Sequence, residues 1–183
     1  MYRGSGRNYS HCPIESMKDM CEKTGLTIFQ AGHNSAFGCG IAASNLEAFT
    51  KAANELYKDV DFTPTYWVDY IWQADNVNAA AVLEIADLTI WGQEMPESMV
   101  AVEDIPINEN NVVLLSPDKH PTIKITYGDI EYIKFGSSQE ELESILEGNM
   151  LTVVGTCGKN IWMDKITPQI KIEDYEVSEE WIF

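Results

Sequence analysis

From about Met99 onward the apolar residues of this chain leave helical spacing and fall into short runs separated by turn residues, and this constrains the fold most. The candidate strands are Met99–Ile105, Asn111–Leu115, Thr122–Tyr127, Ile130–Phe135, Leu151–Cys157 and Gln169–Val177. Tyr127-Gly128-Asp129-Ile130 reads as a tight hairpin turn. One helix, Gln139 to Leu146, interrupts the strands. Five or six short strands with a helix late in the order predict a small Greek-key barrel of the OB type.

The first sixty residues read differently. A helix is predicted over Pro13 to Cys21, where Ile14, Met17, Met20 and Cys21 recur at helical spacing and Gly25 supplies the stop. Leu26 to Phe29 is a short apolar run, and Cys39-Gly40-Ile41 suggests a brief strand. Ser44 or Asn45 can cap a second helix that buries Leu46, Phe49, Ala53, Leu56 and Tyr57. Beyond a connector at Asp61 to Pro64, Trp67 to Trp72 is strand-like, Asn78 to Leu88 is helical, and residues 91–97 form a loop. The expected fold class is α+β: a small α/β domain over residues 1–60, a connecting segment over 61–96, and an OB-like antiparallel β-barrel over 97–183.

The net charge of −17 argues against a protein that coats nucleic acid generally, because phosphate contacts need Lys and Arg. The charge is uneven. Residues 1–60 carry six bases and six acids, 61–110 carry ten acids and no Lys or Arg, and 111–183 carry six bases and thirteen acids. A phosphate site therefore belongs in the first sixty residues or on one local face of the last seventy. Elsewhere the acidic excess serves solubility. Cys12, Cys21, Cys39 and Cys157 have no zinc spacing and read as free thiols of a reducing compartment. The N-terminus lacks the apolar stretch of a signal peptide, and a cytoplasmic location is expected.

Two small-residue stretches stand out in the neutral third. Ala31-Gly32-His33-Asn34-Ser35-Ala36-Phe37-Gly38 surrounds one histidine with residues that let a backbone approach a ligand, and Gly4-Ser5-Gly6-Arg7-Asn8 lies upstream of it. Together they offer backbone amides, a hydroxyl, a guanidinium suited to forked phosphate recognition, and an imidazole. The candidate substrate-binding residues are Ser5, Gly6, Arg7, Asn8, Gly32, His33 and Asn34. His33 can instead hold a tight segment together, and Arg7 can be an ordinary exposed arginine. His11 and His120 read as solvated. No cluster of Asp and His suited to a catalytic metal is evident, and Glu140, Glu141, Glu143 and Glu147 read as a charged helix face.

The barrel offers a second candidate. Strand alternation groups Lys124, Tyr132 and Lys134 on one outer face, an aromatic between two lysines as a stacking platform for bases requires. The alternative is an ordinary solvent-facing surface. Trp162 with Lys159 and Lys165 is a comparable loop candidate, and Trp162 could equally pack inward.

The chain resembles the C-terminal half of RecJ-type single-stranded-DNA exonucleases, especially versions carried by phages. Gly4-Ser5-Gly6-Arg7-Asn8 resembles the family's GSGRS stretch, with Asn8 in place of the serine. Ala31 to Gly38 resembles GGHxxAAG, with Ala31 for the first glycine and the bulkier Phe37 among the small residues. Trp91 to Glu97 resembles the linker FGxGNPEP. Asn160-Ile161-Trp162, Thr167-Pro168-Gln169-Ile170 and Ile172-Glu173-Asp174 resemble the end of the family's OB domain. The resemblance covers essentially the whole chain. It implies the substrate-binding region of an exonuclease that acts on single-stranded DNA from the 5′ end in repair and recombination. No cofactor is expected in this chain. A catalytic DHH domain, with metal-binding aspartates for Mn²⁺ or Mg²⁺, would precede Met1 in cis. The chain alone would then bind single-stranded DNA without cleaving it. The rival expectation is a non-enzymatic adaptor or protein-interaction module that retains the fold.

Overall fold

The computed structural model describes residues 1–8, 12–92 and 95–179. The chain divides into two compact units, Met1–Tyr66 and Trp67–Phe183. The expected connecting segment is therefore mostly part of the second unit, because its strand joins that unit's sheet.

The first unit is a three-stranded antiparallel sheet of β1 (Tyr2–Arg7), β2 (Thr27–Gly32) and β3 (Ala36–Ile41), in the order β1-β3-β2. Helices α1 (Met17–Thr24) and α2 (Leu46–Leu56) complete it. Helix α1 starts later than Pro13 because Ser16 is its cap, its Oγ accepting a 3.1 Å hydrogen bond from the Asp19 N–H. Gly25, at φ 66°, ends it in the left-handed conformation. The core is small: Met20 and Cys21 of α1 meet Phe37 of β3, with Met17, Cys39, Phe49, Ala53 and Tyr57 packed around them. Leu46 and Leu56 of α2, expected inside, are exposed. The Gly/His stretch is a β-hairpin joining β2 to β3.

The second unit is a seven-stranded sheet in the order β4-β5-β9-β10-β8-β7-β6. Its strands are β4 (Tyr70–Gln73), β5 (Met99–Pro106), β6 (Val112–Leu115), β7 (Thr122–Tyr127), β8 (Ile130–Phe135), β9 (Met150–Trp162) and β10 (Lys165–Ser178). Two helices accompany it, α3 (Ala79–Ala86) and α4 (Gln139–Ile145). The fold is mixed α+β and OB-like, but its hydrogen bonding does not close into a barrel, since the described order ends on β4 and β6. Nor are all the pairings antiparallel: β8 runs parallel to β10, and β4 parallel to β5. The core lies on the inner face, where Val100, Val102, Ile123, Ile125, Leu151, Val153 and Ile170 alternate with outward residues and Val82 of α3 is fully buried among them. Among the described residues no helix is long and apolar enough to cross a membrane.

Candidate nucleic-acid interface

In an antiparallel sheet, residues opposite one another share a face, so pairing register decides what the first unit presents. Gly6 stands opposite Phe37, and Phe37 opposite Gly32. That row faces the helices. A Cβ on Gly6 would lie 2.4 Å from the Phe37 ring, and one on Gly32 would lie 2.7 Å from the Ala36 carbonyl oxygen. Gly32 also has φ 122°, a conformation that side chains avoid. Phe37 is therefore buried, and it leaves the opposite face clear.

That opposite face carries the candidate side chains. Ser5 pairs with Gly38, and Gly38 with Ala31. One row along, Arg7 pairs with Ala36, which exchanges backbone hydrogen bonds of 2.9 and 3.3 Å with His33. One row the other way, Arg3 pairs with Gly40, and Gly40 with Phe29. Two exposed guanidiniums, a hydroxyl and an exposed imidazole thus border a floor of glycine and alanine. Arg3 and Arg7 are the only arginines in the sequence. Arg7 donates one hydrogen bond, to the Gly6 carbonyl at 2.9 Å, and no carboxylate among the described residues forms an ion pair with either arginine.

The sequence candidates divide by task. Arg7, His33 and Ser5 are exposed and share the open face. Asn34 is exposed in the hairpin turn. Asn8 is a clamp: its backbone N–H donates to the Ser35 carbonyl at 2.8 Å and its side-chain amide to the Ile14 carbonyl at 2.7 Å. Gly6 and Gly32 act by lacking a side chain. Arg3 and Phe29 are not among the sequence candidates, although a period of two from Ser5 and from Ala31 places both on the same face.

The barrel platform needs correction. Tyr132 is fully buried, because its register aligns it with Ile125 on one side and Ile170 on the other, both core residues. Its hydroxyl has no hydrogen-bond partner among the described residues, and burial pushes its pKa up. β8 is apolar on both parities, and Glu131 marks the outward one. Lys124 is outward and forms a 3.4 Å ion pair with Glu131. Lys134 pairs with Ile123 in register, so it leaves on the face opposite Lys124. There it bridges to Glu141 of α4 at 3.3 Å and lies 5.8 Å from the Tyr175 ring. The three residues form no common surface.

Trp162 does not pack inward. It is 69% exposed at the tip of the β9–β10 hairpin, paired in register with Lys165, and Ile161 and Met163 beside it are exposed too. Lys159 is held in an ion pair with Asp87. His120 is exposed, as expected; His11 and the Gln93-Glu94 portion of the linker motif lie outside the described residues. No group of three or more His, Cys, Asp or Glu side chains among the described residues converges as metal ligands would.

Comparison with known proteins bears on this arrangement. Residues 68–174 match the RecJ OB domain family. A Bacillus subtilis (strain 168) protein of prophage SPbeta origin, named single-strand DNA-specific exonuclease YorK, is 31% identical over 179 residues, covering 95% of this chain and 31% of its own length. The single-stranded-DNA-specific exonuclease RecJ of the same organism is 24% identical over 157 residues, covering 83% of this chain and 20% of that protein. The chain thus spans about a third or less of these relatives. The crystal structure of RecJ with Mn²⁺ from Thermus thermophilus superposes with a TM-score of 0.62 at 17% identity, over 97% of this chain and 26% of that one, and shows the shared fold. With more than half of its residues inside the matched domain, the chain belongs to the RecJ OB domain family.

Proposed function

We propose that this chain is the substrate-binding region of a RecJ-like exonuclease, that it binds single-stranded DNA, and that it does not cleave DNA by itself. The observation that carries this reading is the open face of the first unit's sheet. It gathers Arg7, His33 and Ser5 beside backbone that a phosphate can approach. The names of the relatives supply the substrate class. Hydrolysis belongs to a catalytic DHH domain in cis, where Mn²⁺ or Mg²⁺ would be held, and the protein acts in the cytoplasm. The residues of this chain hold and orient the strand; Arg7 takes a phosphate oxygen pair and His33 donates to a neighbouring oxygen.

The test is fluorescence anisotropy of a labelled single-stranded decamer at low salt. Binding is expected, with Arg7→Ala and His33→Ala each weakening it by about 10-fold or more, since a charge-assisted hydrogen bond contributes roughly 1.5–3 kcal/mol. The oligonucleotide should stay intact in Mn²⁺. Metal-dependent degradation that co-purifies with the chain would refute the binding-only role. The exposed Ile161-Trp162-Met163 tip favours a second reading, an adaptor with a protein partner. Absence of any binding to single strands at low salt would select it.

A further inference from the structure

We propose that the first unit's sheet holds a second nucleotide subsite, formed by Arg3 and Phe29, in which Arg3 takes a phosphate and Phe29 stacks against a base. This inference rests on the single-stranded-DNA reading above. Three observations carry it. First, the chain's only two arginines stand on one face of one strand, β1, in a protein of net charge −17. Solvation alone would not gather them there, and a linear polyanion lying along β1 would use both. Second, Phe29 is 39% exposed on that same face. Its ring rests on Gly40, where an added Cβ would lie 2.4 Å from a ring carbon. A glycine opposite is what allows the ring to lie flat on the sheet instead of standing away from it. Third, the Arg3 guanidinium carbon is 5.9 Å from the ring centroid, near the outer limit of a cation–π contact. The guanidinium therefore lies over the ring, so cation and ring form the platform together, and no carboxylate among the described residues pairs with Arg3.

The spacing suits a strand of nucleic acid. Arg3 and Arg7 are four residues apart, about 14 Å along a β-strand. Stacked bases repeat at about 3.4 Å along one strand, so a single nucleotide cannot touch both arginines, and a run of about four steps can. Ser5, Gly38 and Ala31 lie in between and present only small groups. The face therefore has a phosphate and imidazole end at Arg7 and His33, and a phosphate and aromatic end at Arg3 and Phe29. Stacking against an aromatic ring tolerates any base.

The experiment separates base from phosphate. The 183-residue chain is titrated with a thymidine decamer and with a decamer of abasic deoxyribose phosphates, at low salt. Phe29→Leu, which keeps the bulk over Gly40, should weaken thymidine binding at least about fivefold and leave abasic binding unchanged. Phe29→Trp should retain or improve thymidine binding. Arg3→Gln should weaken both decamers, and thermal melts should show all three variants folded. Equal loss on both decamers for Phe29→Leu, or no loss on either, overturns the stacking role. No loss for Arg3→Gln overturns the phosphate contact. If the unaltered chain binds neither decamer, it is the single-stranded-DNA reading that fails. If the chain binds and responds to Arg7→Ala but not to Arg3→Gln or Phe29→Leu, only the second subsite is refuted.

Discussion

At the scale of single residues, strand parity sorts the first unit's candidate side chains onto one face, and the same argument misplaces those of the barrel. In β1 the polar residues all fall on one parity, and Gly6 leaves room for Phe37 on the other, so the bulky replacement in the Gly/His motif packs into the core without touching the open face. In β8 both parities are apolar, and Tyr132 reads as an outward residue because it shares its parity with Lys134. The fold places its hydroxyl inside the core without a partner among the described residues. Removing it should therefore help. Tyr132→Phe is expected to raise stability by up to about 1 kcal/mol in urea denaturation, since an unpaired buried hydroxyl costs roughly 1–3 kcal/mol. Single-strand affinity should not change. A loss of affinity in Tyr132→Phe would return this residue to the binding surface.

At the scale of elements, legibility follows turn chemistry. β7 and β8 have the limits expected from sequence because Gly128, at φ 57°, sits in the turn between them, where a glycine advertises the hairpin. β9 and β10 run longer than expected because their turn is made by Met163 and Asp164, both with positive φ, 45° and 64°, and neither advertises a hairpin. From sequence alone, Trp162 therefore reads as a loop residue. Helix α4 shows what sequence cannot give. Its acids have the pattern of a solvated face, yet Glu141 accepts a 3.1 Å hydrogen bond from the Tyr175 hydroxyl and pairs with Lys134. Burial opposes ionisation of Glu141, but the bonds from Lys134 and Tyr175 outweigh it and hold the carboxyl below its ordinary range. The same burial, with Glu141 opposite, pushes the Tyr175 phenol up to about 12. A carboxyl with a depressed folded pKa stabilises above its unfolded pKa and loses that contribution as pH falls through the folded value. Glu141→Gln should thus be less stable than the parent by about 1 kcal/mol at pH 7. That gap should narrow below about pH 4.3 and vanish once the carboxyl is protonated. Urea midpoints at pH 7, 5 and 3.5 test this; a gap independent of pH would assign the effect to packing.

At the scale of the whole molecule, the two units differ in how much they bury. Among the described residues, three buried apolar residues anchor the cluster in the first unit, whereas eighteen buried residues form the second unit's core. Burial of apolar area is the main source of stability, so thermal unfolding is expected in two transitions, the first unit melting at the lower temperature. Near-ultraviolet circular dichroism reports mainly the later one, because the tryptophans lie at positions 67, 72, 91, 162 and 181, all in the second unit. A single transition seen by far- and near-ultraviolet signals alike would contradict this. The end of the first unit is read from sequence close to Tyr66, but the membership of the following segment in the second unit is not, since the aromatic strand at Tyr70 to Gln73 joins its sheet by parallel pairing to a distant strand, and local sequence holds no record of that partner. The confinement of both arginines to one small face has a kinetic meaning as well. Ribosomes, duplex DNA and other polyanions outnumber any free single strand in a cell, and a protein with scattered positive charge lingers on them. On the proposed reading, a chain of net charge −17 that takes phosphate only along one strand of one sheet would be poorly trapped by such decoys. It would give up the rate advantage of sliding along nucleic acid and gain a larger share of encounters in which a flexible single strand enters along that one face.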